Sequence, residues 1–432
     1  MSRRDDFRTL VTRSRQVVLA SALVGAITGV AVAGFDRLTV NLLFDRGVAH
    51  LPLWLMACAP GIGLAVAALV LRYPGRQVSP SSADEYLQAF HARRDLGVRD
   101  MLARMVAAVA TLGSGGAMGL EGPSIYMGAT IGSALQRRWR SLLVGADTNL
   151  LLVAGAAAGI AAIFKAPATG AIFAIEVPFQ EDLARRMLLP ALVAAATGYL
   201  ALVAINGTAP LFPVHGSPPF SFTDLAGAAI IGLAAGGGAR VFAAMLRRAK
   251  HIASLGHRTA RIVACGAAIA ALFAIGRGLT GQSLVLTPGY GVVTWALDPS
   301  RSVTLLLAVL VLRCLATSAT VAGGGVGGLF VPLVVAGALL GRAFGVAVGS
   351  TDSLFLVIGI SAFLGAGYRV PLAAIVFVAE TTGRPGFVVP GLIAAVVAEL
   401  VMGRMSVTDY QLRPAAGMAD PDAPTGDSPA IE

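Results

Sequence analysis

Two stretches of the chain, GLEGPSIYMGATIGSA at residues 119–134 and GLFVPLVVAGALLGRA at residues 328–343, follow one pattern without a gap. Both fit G-L-x-x-P-x4-G-x3-G-x-A. A second pattern, Pro-x5-Phe-x2-Glu, follows each of them in the same order. Chance matching within a small apolar alphabet is the alternative, but two ordered matches favour an internal duplication. The second pattern comprises Pro167, Phe173 and Glu176 in the first half, and Pro371, Phe377 and Glu380 in the second.

The composition is that of a membrane protein. Of the 432 residues, 56% are hydrophobic and only 13% are charged. Soluble domains carry about 25% charged residues. So few charges could not cover so much apolar surface in water, so lipid must be part of the solvent. The sequence therefore predicts an all-α polytopic membrane protein.

The net charge of +10 comes mainly from arginines between the apolar runs. Binding to nucleic acid is one interpretation of such a charge, but basic loops that stay on the cytoplasmic side explain it better. Residues 1–16 are accordingly expected to form a basic cytoplasmic N-terminus. The clusters are Arg3, Arg4, Arg8, Arg13 and Arg15; Arg93 and Arg94; Arg137, Arg138 and Arg140; Arg247, Arg248 and Lys250; and Arg258 and Arg261.

Many of the apolar runs are too short to cross a bilayer, which needs ~20 apolar residues. Gly and Pro clusters interrupt them, and no run alternates as a strand would. Short, broken apolar pieces at matching positions of two halves are typical of a transporter's binding site. We expect a first membrane repeat at 17–205, a linker at 206–222, a second repeat at 223–412 and a disordered tail at 413–432.

Each of the two long motifs places Gly and Pro just before an apolar run. Proline is tolerated in the first turn of a helix, and glycine lets the backbone approach a ligand closely. The unpaired amides and the partial positive charge at a helix start make an anion site. Gly119, Pro123, Gly328 and Pro332 therefore predict two helix N-termini that converge on one permeating ion.

Glu121 lies inside the first of these turns. Its carboxylate has the same sign as the proposed ion, so it would compete for the site, and protonation would release it. The alternative is a carboxylate that only caps its helix. An acid within the membrane is a functional hypothesis by default, and function is favoured here.

Other charged residues and the cysteines have plainer interpretations. Glu176 and Glu380 end their apolar runs at matching positions, which fits structural roles better than permeation. Lys165 and Arg369 lie just before Pro167 and Pro371, where snorkelling or pairing with a carboxylate is expected. Three scattered cysteines show no metal spacing, and we expect no metal and no cofactor.

These motifs resemble those of the CLC chloride channel and transporter family. GLEGP at 119–123 looks like that family's GREGP motif, and GLFVP at 328–332 matches GxFxP. The segment 155–176, GYGVV at 289–293, the RVPLA run from Arg369 and the final MSVTDY fall in the expected order. The resemblance covers residues 17–412. It implies a homodimer of bacterial type. Each subunit would be an inverted repeat of about eighteen helices, several of them broken or re-entrant, with one anion pore.

The resemblance also assigns roles to individual positions. Glu121 would be the gating glutamate, and a serine before it would coordinate the anion. The amides of Leu120, Glu121 and Gly122 would face an outer anion site, and those of Leu329 and Phe330 a central one. The segment VSPSSADEY at 78–86 is the best candidate for the serine motif, with Ser79 in the coordinating position.

Several positions depart from the family pattern. Leu120 replaces the motif's arginine, and the glycine and proline of the serine motif are not kept, so Ser81 or Ser82 could serve instead of Ser79. The family's pore tyrosine aligns with Thr408, while Tyr410 is two residues on. Fluoride-specific relatives usually carry Met at the place of Ser79, which disfavours fluoride. Proton-coupled exchangers usually have a second glutamate at the position of Val177.

The main functional hypothesis is a voltage-gated type chloride channel gated by Glu121, and the absence of a glutamate at 177 supports it. The alternative is a proton-coupled chloride antiporter, supported by Glu121 and by the compact bacterial type of the sequence. A membrane-embedded enzyme is not expected, because no catalytic constellation can be assembled around the five histidines. Chloride-like anions, protons, lipid and a second copy of the chain are the expected partners, nucleic acid is not, and the inner membrane is the expected location.

Overall fold

The computed structural model describes residues 3–73, 78–141, 143, 147–209, 211, 212, 214, 221–350 and 352–412. The expected disordered tail at 413–432 lies outside the described residues. So do residues 210, 213 and 215–220 of the expected linker. Within the described ranges the only β-type pairings are two isolated bridges, and the fold is helical throughout.

Sixteen α-helices fall within the described residues, eight in each half of the chain. The resemblance implied about eighteen; a π-helical turn at Arg37–Asp45 and three single 3-10 turns make up the remaining helical pieces. The first half contains α1 Arg3–Asp36, α2 Leu53–Arg72, α3 Ser82–His91, α4 Val98–Gly113, α5 Glu121–Arg138, α6 Leu150–Phe164, α7 Pro167–Glu176 and α8 Leu188–Asn206. The second half contains α9 Phe222–Ser254, α10 Arg258–Thr280, α11 Tyr290–Ala296, α12 Val303–Ala322, α13 Phe330–Ala347, α14 Leu354–Tyr368, α15 Pro371–Thr382 and α16 Val388–Met402.

The first helix extends beyond the apolar run. The membrane repeat was expected from residue 17, and α1 includes this run but begins already at Arg3. Residues 3–16 contain neither Gly nor Pro, so nothing in them stops the helix from extending outward from the apolar run. The segment suitable for crossing a membrane begins at Arg15 and ends at His50.

Eight helices in the described part of the chain are long and apolar enough to cross a membrane. Helices α6, α14 and α15 are apolar but have only 15, 15 and 12 residues. A bilayer-spanning helix needs about 20 residues, so these short helices must be enclosed by protein. Every residue of α6 and of α14 is indeed buried, which confirms the expectation of broken helices inside a polytopic membrane protein.

The two halves meet through reciprocal contacts between equivalent residues. The amide of Gly119 donates to the carbonyl of Gly328 at 2.9 Å, and the amide of Gly328 donates to the carbonyl of Gly119 at 2.7 Å. Contacts of this kind, in which i meets j and j meets i, arise around a two-fold axis. The two equivalent motifs therefore meet as an antiparallel pair, as an inverted repeat requires.

Glycines of the repeated motif bring helices into backbone contact in both halves. A Cβ on Gly128 of α5 would lie 2.0 Å from the carbonyl oxygen of Gly155 in α6. In the second half, a Cβ on Gly337 of α13 would lie 2.3 Å from the carbonyl oxygen of Gly359 in α14. These distances leave no room for a side chain. The small residues therefore hold each broken helix against its neighbour within the subunit.

Glu176 and Glu380 tie the two halves together at the starts of two short helices. The Glu176 carboxylate accepts from the amides of Leu372 and Ala373 at 3.0 and 2.8 Å, at the start of α15. The Glu380 carboxylate accepts from the Ala168 and Thr169 amides at 2.8 and 2.7 Å and from the Thr169 hydroxyl at 2.6 Å, at the start of α7. Each glutamate thus caps the helix that carries the other one.

The Glu380→Gln variant is expected to lose stability because one of the two acceptor oxygens becomes an amide that faces N–H donors. Hydrogen bonds to a charged group contribute about 1.5–3 kcal/mol each, which sets the expected loss. The measurement is thermal unfolding in detergent. Glu181→Gln is the matched control, because the Glu181 side chain is 69% exposed and, within the described part of the chain, forms its ion pair with Arg369 at 3.1 Å. Equal melting temperatures for the two variants would contradict the capping role.

Candidate functional site

The candidate site lies where α5 and α13 begin. Helix α5 starts at Glu121 and α13 at Phe330, and the paired Gly119 and Gly328 stand just before these starts. The two N-termini therefore approach each other inside the protein. Each contributes unpaired amides and a partial positive charge, which together favour an anionic group between them.

The carboxylate of Glu121 occupies this position. The Glu121 side chain is buried, with 1% of the residue exposed. Its Oε1 atom accepts from the amide of Phe330 at 2.5 Å and from the amide of Val331 at 3.3 Å. The Oε2 atom is buried and has no hydrogen-bond partner among the described residues. A side-chain anion of the first half thus binds at the helix start of the second half.

The motif glycines explain why a carboxylate fits there. A Cβ on Gly328 would lie 2.1 Å from Oε1 of Glu121, and a Cβ on Gly119 would lie 1.8 Å from Oε2. Any side chain at either position would displace the carboxylate. The two glycines are therefore needed for space around the acid as well as for the close approach of the two chains.

The remaining motif residues surround the first turns of α5 and α13. Leu120 is buried and precedes α5, and Gly122 lies against the backbone of Gly327 and Gly328. Pro123 and Pro332 stand in the first turns of α5 and α13, where proline costs no helical hydrogen bond.

Aromatic rings enclose the start of α13. The Phe330 ring is buried, with centroid distances of 4.4 Å to Phe164, 5.0 Å to Phe377 and 5.6 Å to Phe173. Phe173 and Phe377 are the equivalent phenylalanines of the second repeated pattern. This apolar wall keeps water away from one side of the site, so that the backbone dipoles act at low dielectric.

A cavity of about 410 Å³ leads from the site toward the C-terminal segment. The expected residues Ser79, Leu329, Thr408 and Tyr410 all line it, so the structure brings these positions together although they are far apart in sequence. Its lining also carries charged groups: Lys250 lies 2.8 Å from Asp84 and 2.8 Å from Asp409.

The serine segment enters the cavity just before α3. Ser79 is exposed to the cavity, and its carbonyl accepts from Nε of the buried Arg104 at 2.9 Å. Of the two alternatives, Ser81 lines the cavity and donates to Asp84 at 2.6 Å, whereas Ser82 is buried outside the cavity lining. Ser79 and Ser81 therefore both line the cavity.

The C-terminal segment brings two hydroxyls to the cavity. Thr408 is buried, and its hydroxyl contacts that of Ser406 at 3.0 Å. Tyr410 is 43% exposed. The difference in burial places Thr408 within the protein and Tyr410 at the outer part of the lining.

The position at which exchangers usually carry a second glutamate is apolar in the structure as in the sequence. Val177 is buried just after α7, and its carbonyl accepts from Nε2 of Gln411 at 3.0 Å. The neighbouring acid, Glu176, is engaged in capping α15. Residue 177 therefore supplies no carboxylate. Its backbone carbonyl instead joins the end of α7 to the C-terminal segment.

Sequence reasoning missed two residues of the site. Val331 supplies the second amide to Glu121, one position beyond the two expected amides. Tyr368 ends α14, is buried and lines the cavity next to Leu329. The register of the helix start could have indicated Val331, but no motif in the sequence pointed to Tyr368.

Inverted repeats, broken helices and two helix starts that converge on a buried acid define a secondary transporter or channel of ions. A family comparison then gives the particular family: the model described as voltage gated chloride channel matches residues 62–403. The chain belongs to this family.

Among curated proteins, the chain is 28% identical to the H(+)/Cl(-) exchange transporter ClcA of Salmonella paratyphi B, covering 93% of this chain and 89% of that protein. It is 30% identical to a putative chloride channel protein, ClcB-like, of Ralstonia nicotianae, covering 87% and 91%. These alignments run through most of both chains, so the likeness concerns the whole membrane domain.

Solved structures give the same fold. A slow cyanobacterial Cl⁻/H⁺ antiporter superposes with a TM-score of 0.79 at 23% identity, covering 90% of this chain and 94% of that one. A CLC-type fluoride/proton antiporter superposes with a TM-score of 0.78 at 24% identity, covering 92% and 98%. At these identities the likeness establishes the shared architecture.

Proposed function

We propose that this protein is a proton-coupled antiporter of chloride in which Glu121 carries the proton and competes with the anion. The observation that carries the proposal is the bond from the Phe330 amide to the Glu121 carboxylate, at 2.5 Å. The amides of a helix start are an anion site, and here a titratable anion of the chain itself occupies it.

Exchange follows from this competition. When Glu121 is ionised, its carboxylate satisfies the amides of Phe330 and Val331, and chloride cannot bind there. When a proton neutralises the carboxylate, its hold on the helix start weakens and chloride can take its place. Chloride and the ionised carboxylate then exclude each other from a single position, which links chloride occupancy to the protonation of Glu121.

The other site residues have supporting roles in this proposal. In this proposal, and as the family resemblance implies, the amides of Leu120 and Gly122 face the ion on the outer side of Glu121, and the amide of Leu329 faces it on the inner side. Ser79 and Thr408 reach the ion from the cavity, where hydroxyl groups replace part of its water shell. Neutral donors hold the ion without a fixed charge, so it can leave again.

A passive channel is the second candidate, and Val177 is the observation that favours it. Without a glutamate there, protons from the cytoplasm need another route to Glu121. The antiporter is preferred because the ClcA relative is named an exchange transporter and two similar structures are of proton antiporters. The ClcB-like relative, named a putative chloride channel, keeps the second candidate open to test.

We also propose that the transporter works in the inner membrane as a homodimer with one pore per subunit, as the family resemblance implies. Chloride is preferred to fluoride because the cavity presents the hydroxyl of Ser79 where fluoride-specific relatives carry methionine. Cross-linking in native membranes, read as the size of the linked product, tests the dimer.

The deciding experiment uses purified protein in liposomes with an outward chloride gradient and a valinomycin shunt. Chloride efflux and external pH are followed together. Chloride efflux that drives protons inward, against their own gradient, is the expected result. Chloride efflux without proton movement would overturn the antiporter in favour of the channel, and absence of any anion flux would overturn both.

A further inference from the structure

The lining of the 410 Å³ cavity includes a buried tyrosine that neither the motifs nor the family resemblance assigns. Tyr368 is the last residue of α14 and is 1% exposed. It lines the cavity together with Gly328 and Leu329, directly before the start of α13. Its phenolic oxygen accepts a hydrogen bond from the backbone amide of Leu329.

We propose that the hydroxyl of Tyr368 is a ligand of the transported anion, on the inner side of Glu121. This assignment rests on the anion transport proposed above. It places a hydroxyl donor of the pore on α14, whereas the family resemblance pointed to the C-terminal segment, at the positions of Thr408 and Tyr410.

The geometry of the hydroxyl suits this role. A tyrosine hydroxyl can accept one hydrogen bond and donate another at the same time. When its oxygen accepts from the Leu329 amide, its proton remains free to donate to an anion in the cavity. The bond from the Leu329 amide then polarises the phenol, so that the Tyr368 hydroxyl becomes a stronger hydrogen-bond donor to the ion.

Packing fixes the ring in this orientation. The centroid of the Tyr368 ring lies 5.4 Å from that of Phe173 and 6.2 Å from that of Phe330. The phenol therefore belongs to the same aromatic wall that encloses the helix start. A hydroxyl held by packed rings loses little conformational freedom when it binds an ion, which favours binding.

The backbone of Tyr368 is anchored from the C-terminal segment. The carbonyl of Tyr368 accepts from Nε2 of Gln411 at 2.7 Å, and the carbonyl of Gly367 accepts from the amide of Val407 at 3.0 Å. Arg369 follows in the left-handed region, with a φ of 58°, and pairs with Glu399 at 3.0 Å. The segment around Thr408 thus positions Tyr368 through hydrogen bonds to its backbone.

The two expected hydroxyls are less suited to the inner side of Glu121. Tyr410 is 43% exposed, so solvent competes with it for an ion. The Thr408 hydroxyl is engaged with that of Ser406 at 3.0 Å. Tyr368 alone of these three combines full burial, a cavity-lining position and contact with the amides at the start of α13.

The Tyr368→Phe variant tests the proposal because it removes only the hydroxyl and keeps the ring. Chloride affinity of the purified protein, measured by isothermal titration, is expected to fall about tenfold, as expected when one hydrogen bond to an ion is lost. Tyr86→Phe is the matched control, because Tyr86 is a buried tyrosine outside the cavity lining whose hydroxyl donates to the Ala174 carbonyl at 3.0 Å. It is expected to leave the affinity within about twofold. Tyr410→Phe tests the rival position in the same cavity.

The anion preference gives a second measurement that does not depend on the yield of folded protein. Nitrate spreads its charge over three oxygens, so it gains less from a single strong donor than chloride does. The ratio of chloride flux to nitrate flux in liposomes is therefore expected to fall in Tyr368→Phe. An unchanged ratio together with unchanged chloride affinity would overturn the assignment.

The outcomes separate this inference from the function on which it rests. If the unmodified protein neither binds nor moves chloride, the proposed function itself fails. If it does both, and Tyr368→Phe behaves in the same way, only the role of Tyr368 fails. A loss of affinity in Tyr410→Phe but not in Tyr368→Phe would return the phenolic donor to the C-terminal segment.

Discussion

The Glu121→Gln variant is expected to move chloride without moving protons. Proton transport driven by a chloride gradient should fall to the level of empty liposomes, while chloride flux persists. Glutamine is nearly the size of glutamate but carries no charge and does not titrate near neutral pH. The variant should therefore resemble the protonated state of the transporter permanently.

The contacts of Glu121 give the physical reason. Its carboxylate is bound by the amides of Phe330 and Val331, and it blocks the helix start with a full negative charge. A neutral amide at this position binds those donors less strongly. Chloride can then occupy the helix start at any pH, so the flux should lose its dependence on pH together with its coupling.

Glu181→Gln is the control, because it makes the same chemical change on an exposed side chain outside the cavity. It should keep both proton coupling and chloride flux. If folded Glu121→Gln protein still pumped protons, the proton carrier would have to be another residue. If it moved no chloride at all, Glu121 would be needed for permeation itself and the competition argument would be wrong.

The sequence predicted the centre of this site better than its surroundings. The repeated Gly and Pro pattern located both helix starts, and Glu121 stood out because an acid inside such a turn is costly in a membrane. What the sequence could not show is which partner the acid binds. Glu121 and Phe330 are 209 positions apart, and only the two-fold arrangement of the halves brings them together.

The residues around Glu121 could not be predicted either, because their partners also lie far away in the sequence. Glu176 and Glu380 have matching positions in the sequence. That each caps the helix carrying the other becomes visible only when α7 and α15 face each other. Tyr368 carries no motif, and its place in the cavity depends on the C-terminal segment that anchors α14. Local patterns indicate helix starts, whereas contacts between the halves determine which side chains share a cavity.

At Val177, the sequence showed that the second glutamate usual in exchangers is missing, and the structure shows what the residue contacts instead. Its side chain is buried, and its carbonyl is bound by Gln411, which also binds the carbonyl of Tyr368. One amide group therefore connects the ends of α7 and α14. At the position where the resemblance led to the expectation of a second glutamate in exchangers, the backbone carbonyl instead helps to hold the residue that anchors Tyr368.

The Arg313→Met variant is expected to be strongly destabilised. Arg313 in α12 is 3% exposed and donates to five consecutive carbonyls, those of residues 284–288, at 2.7–3.3 Å. Hydrogen bonds to a charged group contribute about 1.5–3 kcal/mol each, so the loss of only two of them would cost about 3–6 kcal/mol. Thermal unfolding in detergent measures the effect.

Arg277→Met is the control for this variant, because Arg277 makes a single hydrogen bond to the same loop, with the Ser283 hydroxyl at 3.1 Å. Its effect should be small. Arg313→Lys keeps the charge but has a compact ammonium group with three donors, which cannot span five carbonyls. It should recover only part of the stability. Equal melting temperatures for Arg313→Met and Arg277→Met would show that the loop holds its shape without the guanidinium.

The position of Arg313 links this loss to transport. Thr317 and Thr320 follow it on the same face of α12, and their hydroxyls bind the carbonyl and the amide of Ala117 at 2.7 and 3.4 Å. The loop held by Arg313 packs beside the same stretch, since the Thr287 amide donates to the carbonyl of Gly115 at 3.0 Å. Residues 115–119 lead directly into Glu121. Arg313→Lys protein that remains folded should therefore pump fewer protons per chloride, because the segment that places the carboxylate on the Phe330 amide has lost part of its support.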